Sequence, residues 1–269
     1  VARVIAELGG PALAVYLAGG ATGDVLGELM AEQGLPARVV PIAGHTRISL
    51  AVLERSTGLE YRFVPEGPEV SPREWLACLE VIEAIDFDWL VISGSRPRGL
   101  PDDCFVTLLR RAADRGAKVV LDSSGPALAA TLGAGGLALV KPSLGEFRAV
   151  TGLALEDPGE VAEAAREIVE SGRAEIVTVT LGHEGAVLAS REANLIRRPP
   201  PVPVKSATGA GDSFVGAMTL ALAEGRSVAH AFLFGMAARG ATVMHPVTGL
   251  CQRSDVERLH AELVASRAT

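Results

Sequence analysis

The residues best suited to chemistry lie in four short loops. The first is Thr208-Gly209-Ala210-Gly211-Asp212, which runs into the apolar stretch SFVGAMTLALA. Small residues let a backbone approach a ligand closely, and the free N–H groups and dipole at a helix start make an anion site. An acid in that position stands beside the bound anion, although an acid in a first helical turn also serves simply to open the helix. The second loop is Lys141-Pro142-Ser143-Leu144-Gly145-Glu146. Its Ser143 and Glu146 have the spacing of a capping box, as do Ser71/Glu74 and Ser254/Glu257, where nothing suggests chemistry. A glutamate one turn from an anion site also suits Mg²⁺ held through water. Thr180-Leu181-Gly182-His183-Glu184-Gly185, taken alone, reads first as a plain connection that needs only its glycines. Ser93-Gly94-Ser95-Arg96-Pro97-Arg98-Gly99 places two hydroxyls and two guanidinium groups together, which invites a phosphorylated ligand or merely decorates a solvated surface.

Something must hold these loops side by side. Apolar runs at 12–18, 87–93, 117–122, 136–140 and 174–180 read as strands, alternating with helical patterns at about 22–33, 72–84, 101–115 and 157–171. That alternation predicts a doubly wound α/β fold with a mostly parallel sheet flanked by helices, whose ligands gather where strands end. A short strand, AVLAS, follows the third loop. After residue 211 the chain reads as helix at about 211–224, 227–243 and 254–266. Residues 38–67 alternate apolar and polar around Ser56-Thr57-Gly58 and predict a small one-faced β lid. The expected organisation is therefore a body, 1–37 and 68–269, with a β-lid hairpin at 38–67.

Composition narrows the function classes. The chain has 269 residues, 48% of them hydrophobic, with 25 Lys and Arg against 32 Asp and Glu, a net charge of −7. No basic run stands out, so the footprint of a nucleic-acid or anionic-membrane binder is missing. No stretch reaches the roughly 18 apolar residues of a membrane span. Cys78, Cys104 and Cys251 fit neither a disulfide framework nor a zinc site, which points to a reducing cytoplasm. The five histidines make no metal spacing. Zincin, G-x-S-x-G hydrolase, P-loop and early G-x-G-x-x-G signatures are absent.

Taken in order, GGATG (19–23), TRIS (46–49, expected in a flap strand), SGSRPRGLP (93–101), LDSSGPAL (121–128), KPSLGE (141–146), TLGHEG (180–185) and ATGAGDSFVGAM (207–218) resemble the ribokinase-like (PfkB) carbohydrate kinases. The likeness runs from Val1 to the C-terminal helix and is nearest to the phosphosugar branch. It implies ATP-dependent phosphorylation of a hexose phosphate, fructose 6-phosphate at its 1-hydroxyl being preferred over fructose 1-phosphate or tagatose 6-phosphate. By the same resemblance Asp212 is the general base and the amides of Gly209, Ala210 and Gly211 the anion hole. Arg47, Ser49 and Ser95 bind the sugar phosphate. Lys141, Ser143, Thr180, Gly182, Gly185 and Ser206 line the ATP site, Glu146 positions Mg²⁺ through water, and K⁺ sits near Ser206 and Thr208. A homodimer through the β lid is expected.

Three departures qualify the likeness. Ser143 replaces the asparagine of the family's N-x-x-E motif, and Arg96 and Arg98 stand where SGSLPPG is common. Family members also begin about forty residues earlier, with a strand carrying a substrate-binding aspartate and a glycine-rich loop, so that segment is expected to precede Val1, which opens inside a helical pattern. A non-catalytic, ligand-sensing descendant of the fold is the alternative of another class.

Overall fold

The structure is a computed structural model and describes residues 1–57, 59–246 and 249–266. Helix α1 (Ala2–Glu7) ends at Leu8 before Gly9-Gly10, and is followed by β1 (Ala14–Ala18), α2 (Gly20–Glu32) and β2 (Ala37–Pro41). The hairpin of β3 (Leu50–Leu53) and β4 (Glu60–Phe63) comes next, then α3 (Pro72–Glu83). Strand, helix and strand then alternate through β5 (Trp89–Ser93), α4 (Cys104–Asp114), β6 (Lys118–Asp122), α5 (Gly125–Ala134), β7 (Leu137–Val140), α6 (Leu144–Thr151), α7 (Pro158–Glu170) and β8 (Ala174–Thr180). Strands β9 (Ala186–Ser190) and β10 (Asn194–Arg197) precede α8 (Ala210–Ala223), α9 (Val228–Val243) and α10 (Arg253–Ala265).

The main sheet has six strands in the order β10-β9-β8-β7-β6-β5. From β5 to β8 neighbours are parallel; β9 and β10 turn back antiparallel at one edge. Successive side chains of a strand point to opposite faces, so a strand buried on both must be apolar throughout. Val119 and Leu121 of β6 enter the core beneath α3 to α7, while Val120 between them enters the core under α1, α8, α9 and α10. Strands β7, β8 and β9 divide in the same way, Leu137, Val177 and Val187 to one face and Leu139, Ile176 and Leu188 to the other.

The predicted strands and the three late helices are all present, with boundaries shifted by a few residues. Helices α5 and α6 lie in segments that sequence periodicity did not mark: α5 is apolar on nearly every side and carries Pro126 in its first turn, and α6 has only 8 residues. The alternating stretch at 38–67 divides in two. Its first part, β2, pairs in parallel with β1 in register Ala14 to Ala37, and only the later part forms the hairpin. TRIS (46–49) is not a strand but the irregular lead into β3. Of the expected turn at 56–58, Gly58 lies outside the described residues. No helix among the described residues is long and apolar enough to cross a membrane.

Candidate active site

Four strands deliver their last residues to one edge of the sheet. Ser93 ends β5 in register with Asp122, which ends β6, and the Gly94 amide donates to the Asp122 carbonyl at 2.9 Å. Lys141 follows β7, its amide bonded to the Leu121 carbonyl at 3.0 Å. Ser143, beyond the end of β7, forms an isolated parallel bridge with Thr180, the last residue of β8.

Helix α8 meets this edge at its N-terminus. Gly209, its N-cap, has φ +76°, the left-handed region that glycine adopts freely, and no side chain caps the first turn. The amides of that turn therefore face the site, except that the Ala210 N–H is turned to the Ala207 carbonyl at 3.3 Å. Asp212 stands in the first turn with its side chain half exposed. The Ser93 hydroxyl donates to its Oδ1 at 3.4 Å, and the Val1 nitrogen lies 3.8 Å from the same oxygen.

Beneath the loop sits a buried ion pair, Lys141 Nζ to Asp122 Oδ1 at 3.1 Å, with the two side chains only 6% and 18% exposed. Burial pushes the Asp122 carboxyl above the usual carboxylate range, the Lys141 ammonium opposes this, and the charges of Asp212 and Glu146 add to it. A Cβ on Gly211 would lie 3.7 Å from Lys141 Nζ, so the ammonium sits directly against the glycine loop. Lys141 was expected in the site; Asp122 was not, although it lies within the quoted LDSSG motif. Its signal is a charged residue ending an otherwise apolar strand at the ligand edge of a parallel sheet.

Ser143 and Glu146 make the capping box in full: Glu146 Oε2 accepts from the Ser143 amide at 2.7 Å and hydroxyl at 2.8 Å. Ser71 and Glu74 form the same box, and Glu74 also accepts from the Ala43 amide at 2.6 Å; the Ser71 amide first, then that of Ala43 and the Ser71 hydroxyl, draw its carboxyl below the usual range. Ser254 and Glu257 do not: Ser254 lies inside α10, and Glu257 pairs with Arg253 at 2.8 Å.

The loop Thr180–Gly185 is one 3-10 turn between β8 and β9, tied by the Leu181 amide to the Gly185 carbonyl at 2.8 Å. Gly185 has φ +113°, and a Cβ there would fall 1.9 Å from the Arg197 carbonyl oxygen. Ser206 is buried, and its hydroxyl accepts from the Thr208 amide at 3.2 Å.

Arg47, Ser49 and Ser95 are exposed. Arg47 donates to the Pro65 carbonyl at 3.5 Å at the hairpin's exit, and the Thr46 hydroxyl before it accepts from the Gly19 amide at 3.0 Å. The neighbouring arginines have partners of their own. Arg96 pairs with Asp102 at 3.1 Å and donates to the Leu100 and Pro97 carbonyls. Arg98 pairs with Glu66 at 3.0 Å and Glu69 at 3.5 Å. These contacts join the loop to Asp102 and to the hairpin's exit through solvent-exposed ion pairs.

A mostly parallel sheet whose carboxyl edge meets a glycine-opened helix with an acid in its first turn defines the ribokinase-like kinase class. The chain belongs to the pfkB family of carbohydrate kinases, whose profile matches residues 1–255. It is 42% identical over 264 residues to the ATP-dependent 6-phosphofructokinase isozyme 2 of Escherichia coli K12, covering 98% of this chain and 85% of that one. It is 31% identical over 267 residues to the 1-phosphofructokinase of the same strain, covering 98% and 84%. The structure superposes on the Escherichia coli phosphofructokinase-2 solved in complex with potassium with a TM-score of 0.94, at 41% identity over 98% of this chain and 85% of that one.

Proposed function

We propose that the protein transfers the γ-phosphoryl group of ATP to the 1-hydroxyl of fructose 6-phosphate. The observation that carries this reading is Asp212, half exposed in the first turn of an uncapped helix, with the Ser93 hydroxyl on one side and the Lys141 ammonium under the preceding glycine loop. Asp212 takes the proton of the attacking hydroxyl. The Gly209 and Gly211 amides and the helix dipole meet charge developing on the transferred group. Lys141, fixed by Asp122, adds a positive charge on the sheet side. The name of the 42% identical relative supports fructose 6-phosphate as acceptor; that of the 31% identical one keeps fructose 1-phosphate as the second reading.

Thr180, Gly182, Gly185, Ser143 and Ser206 would line the nucleotide, and Arg47, Ser49 and Ser95 the sugar phosphate. Mg²⁺ suits one or two carboxylates plus substrate phosphates, and Glu146, whose Oε2 already serves the capping box, fits a role through water. When bound, the ion neutralises phosphate charge. The buried oxygen of Ser206, with Thr208 beside it, suits a monovalent cation, and a relative was solved with potassium.

Segment 38–67 would serve as the lid, and a second copy would cover it in a homodimer of a cytoplasmic enzyme. Leu50, Val52, Tyr61 and Phe63 are paired across the hairpin and 46–58% exposed, a contiguous apolar face.

Asp212→Asn tests the mechanism. Removal of a general base should lower kcat by roughly 10²–10⁴ while ATP affinity by calorimetry stays within about twofold. An Asn variant with near-normal kcat removes Asp212 from the mechanism.

A further inference from the structure

Helix α9 is apolar along almost its whole length, and Arg239 is its one residue of the Asp, Glu, Lys and Arg set. Burial draws the guanidinium below the usual arginine value, with no charged partner contributing. Its Nη2 donates to the Gly182 carbonyl at 2.8 Å and its Nη1 to the Gly185 carbonyl at 3.3 Å. Arg239 is half-buried, so its guanidinium is partly withdrawn from water, and the two carbonyls replace hydration that it has lost. From the far side the same loop is wedged against the end of β10, where Gly185 leaves no room for a Cβ beside the Arg197 carbonyl.

One helical turn further on, the same helix holds the other loop. The Val243 carbonyl accepts from the Lys205 amide at 2.7 Å and the Ser206 amide at 3.4 Å, and the Thr242 hydroxyl bonds the Ser213 hydroxyl at 2.6 Å. Residue 243 ends the helix one turn beyond 239, so its carbonyl has no acceptor role within the helix and is open to the Lys205 and Ser206 amides. The same helix thus ties the Gly182–Gly185 loop through the Arg239 side chain and the loop entering α8 through its last carbonyl.

We propose that Arg239 is a positioning residue for the nucleotide, setting the distance between the loop that receives it and the anion hole that receives its terminal phosphate. This rests on the reading that Thr180–Gly185 receive ATP. Arg239 acts through those carbonyls and not on the reacting atoms, so it governs how well the nucleotide seats rather than how fast the phosphoryl group moves.

The test is Arg239→Ala in the full-length protein, with Gly182→Val as a control that distorts the loop directly at its φ of +62°. Loss of two hydrogen bonds from a charged donor should raise the KM for ATP about tenfold and weaken ADP binding by a like factor, with kcat within about twofold and the sugar-phosphate KM unchanged. Millimolar ethylguanidinium should restore the ATP KM of Arg239→Ala and leave wild type unaltered. Arg239→Lys, whose ammonium cannot span both carbonyls, should fall between, and it carries the test if the alanine variant does not fold. The proposal is overturned if kcat and both KM values change together without rescue, or if Gly182→Val weakens ADP binding and Arg239→Ala does not. If neither substitution affects ADP binding, the nucleotide reading of the loop fails as well.

Discussion

The carboxyl edge of the sheet and the β3–β4 hairpin are both built from strands rich in apolar residues, and they dispose of them in opposite ways. In β6 to β9 the large apolar side chains divide between two buried cores, and the ends of β5 to β8 are left to present Ser93, Asp122, Lys141 and Thr180 at one edge. In the hairpin Leu50, Val52, Tyr61 and Phe63 face solvent, and the polar work is local: Glu54 accepts from Thr57, Ser56 and Tyr61, which lowers its carboxyl below the usual range. Burial on both faces fixes geometry at the first region. At the second, an uncovered apolar face calls for a partner.

The largest effect expected from breaking this contrast is at the buried pair. Lys141→Met leaves Asp122 as an uncompensated buried charge, which should cost about 3–5 kcal/mol and abolish most activity. Denaturant titration checks it, and Asp122→Asn in the same chain should recover part of the stability without the activity. A loss under about 1 kcal/mol would mean that the pair is open to water. The hairpin should respond differently. Leu50→Lys with Phe63→Lys should halve the mass measured by light scattering at micromolar concentration, and persistence of a dimer would place the interface elsewhere.

A smaller effect reports on the closed body alone. Burial pushes the Cys78 and Cys104 thiols from 9.0 up to about 11. The unfolded chain releases those protons first, so stability is full below pH 9.0 and falls as pH rises through about 11. Urea midpoints at pH 8.5 and 10.5 measure the fall, and Cys78→Ala with Cys104→Ala should flatten it.

The same contrast explains what the sequence disclosed. Strands covered on both faces carry apolar runs that cannot be mistaken for amphipathic helix, so β5 to β8 and the loops behind them are legible. Helix α5 was hidden because it is apolar on nearly every side and shows no period. Short local patterns carry less: S-x-x-E caps α3 and α6 but not α10, where Arg253 claims Glu257. Arg96 and Arg98 look available in sequence, yet the acids that engage them lie elsewhere, at Asp102, Glu66 and Glu69. Arg239 sits inside an apolar helix, and its partners are backbone carbonyls more than 50 residues away, which no residue pattern can announce.

The α8 edge is where phosphoryl transfer to a phosphosugar would take place. The most direct test is a coupled ADP-release assay on the full-length protein with Mg²⁺ and K⁺, comparing fructose 6-phosphate, fructose 1-phosphate, tagatose 6-phosphate and fructose. The highest kcat/KM is expected for fructose 6-phosphate, with little turnover of the unphosphorylated sugar. Equal rates with fructose, or no ADP release with any of the four, would contradict this assignment.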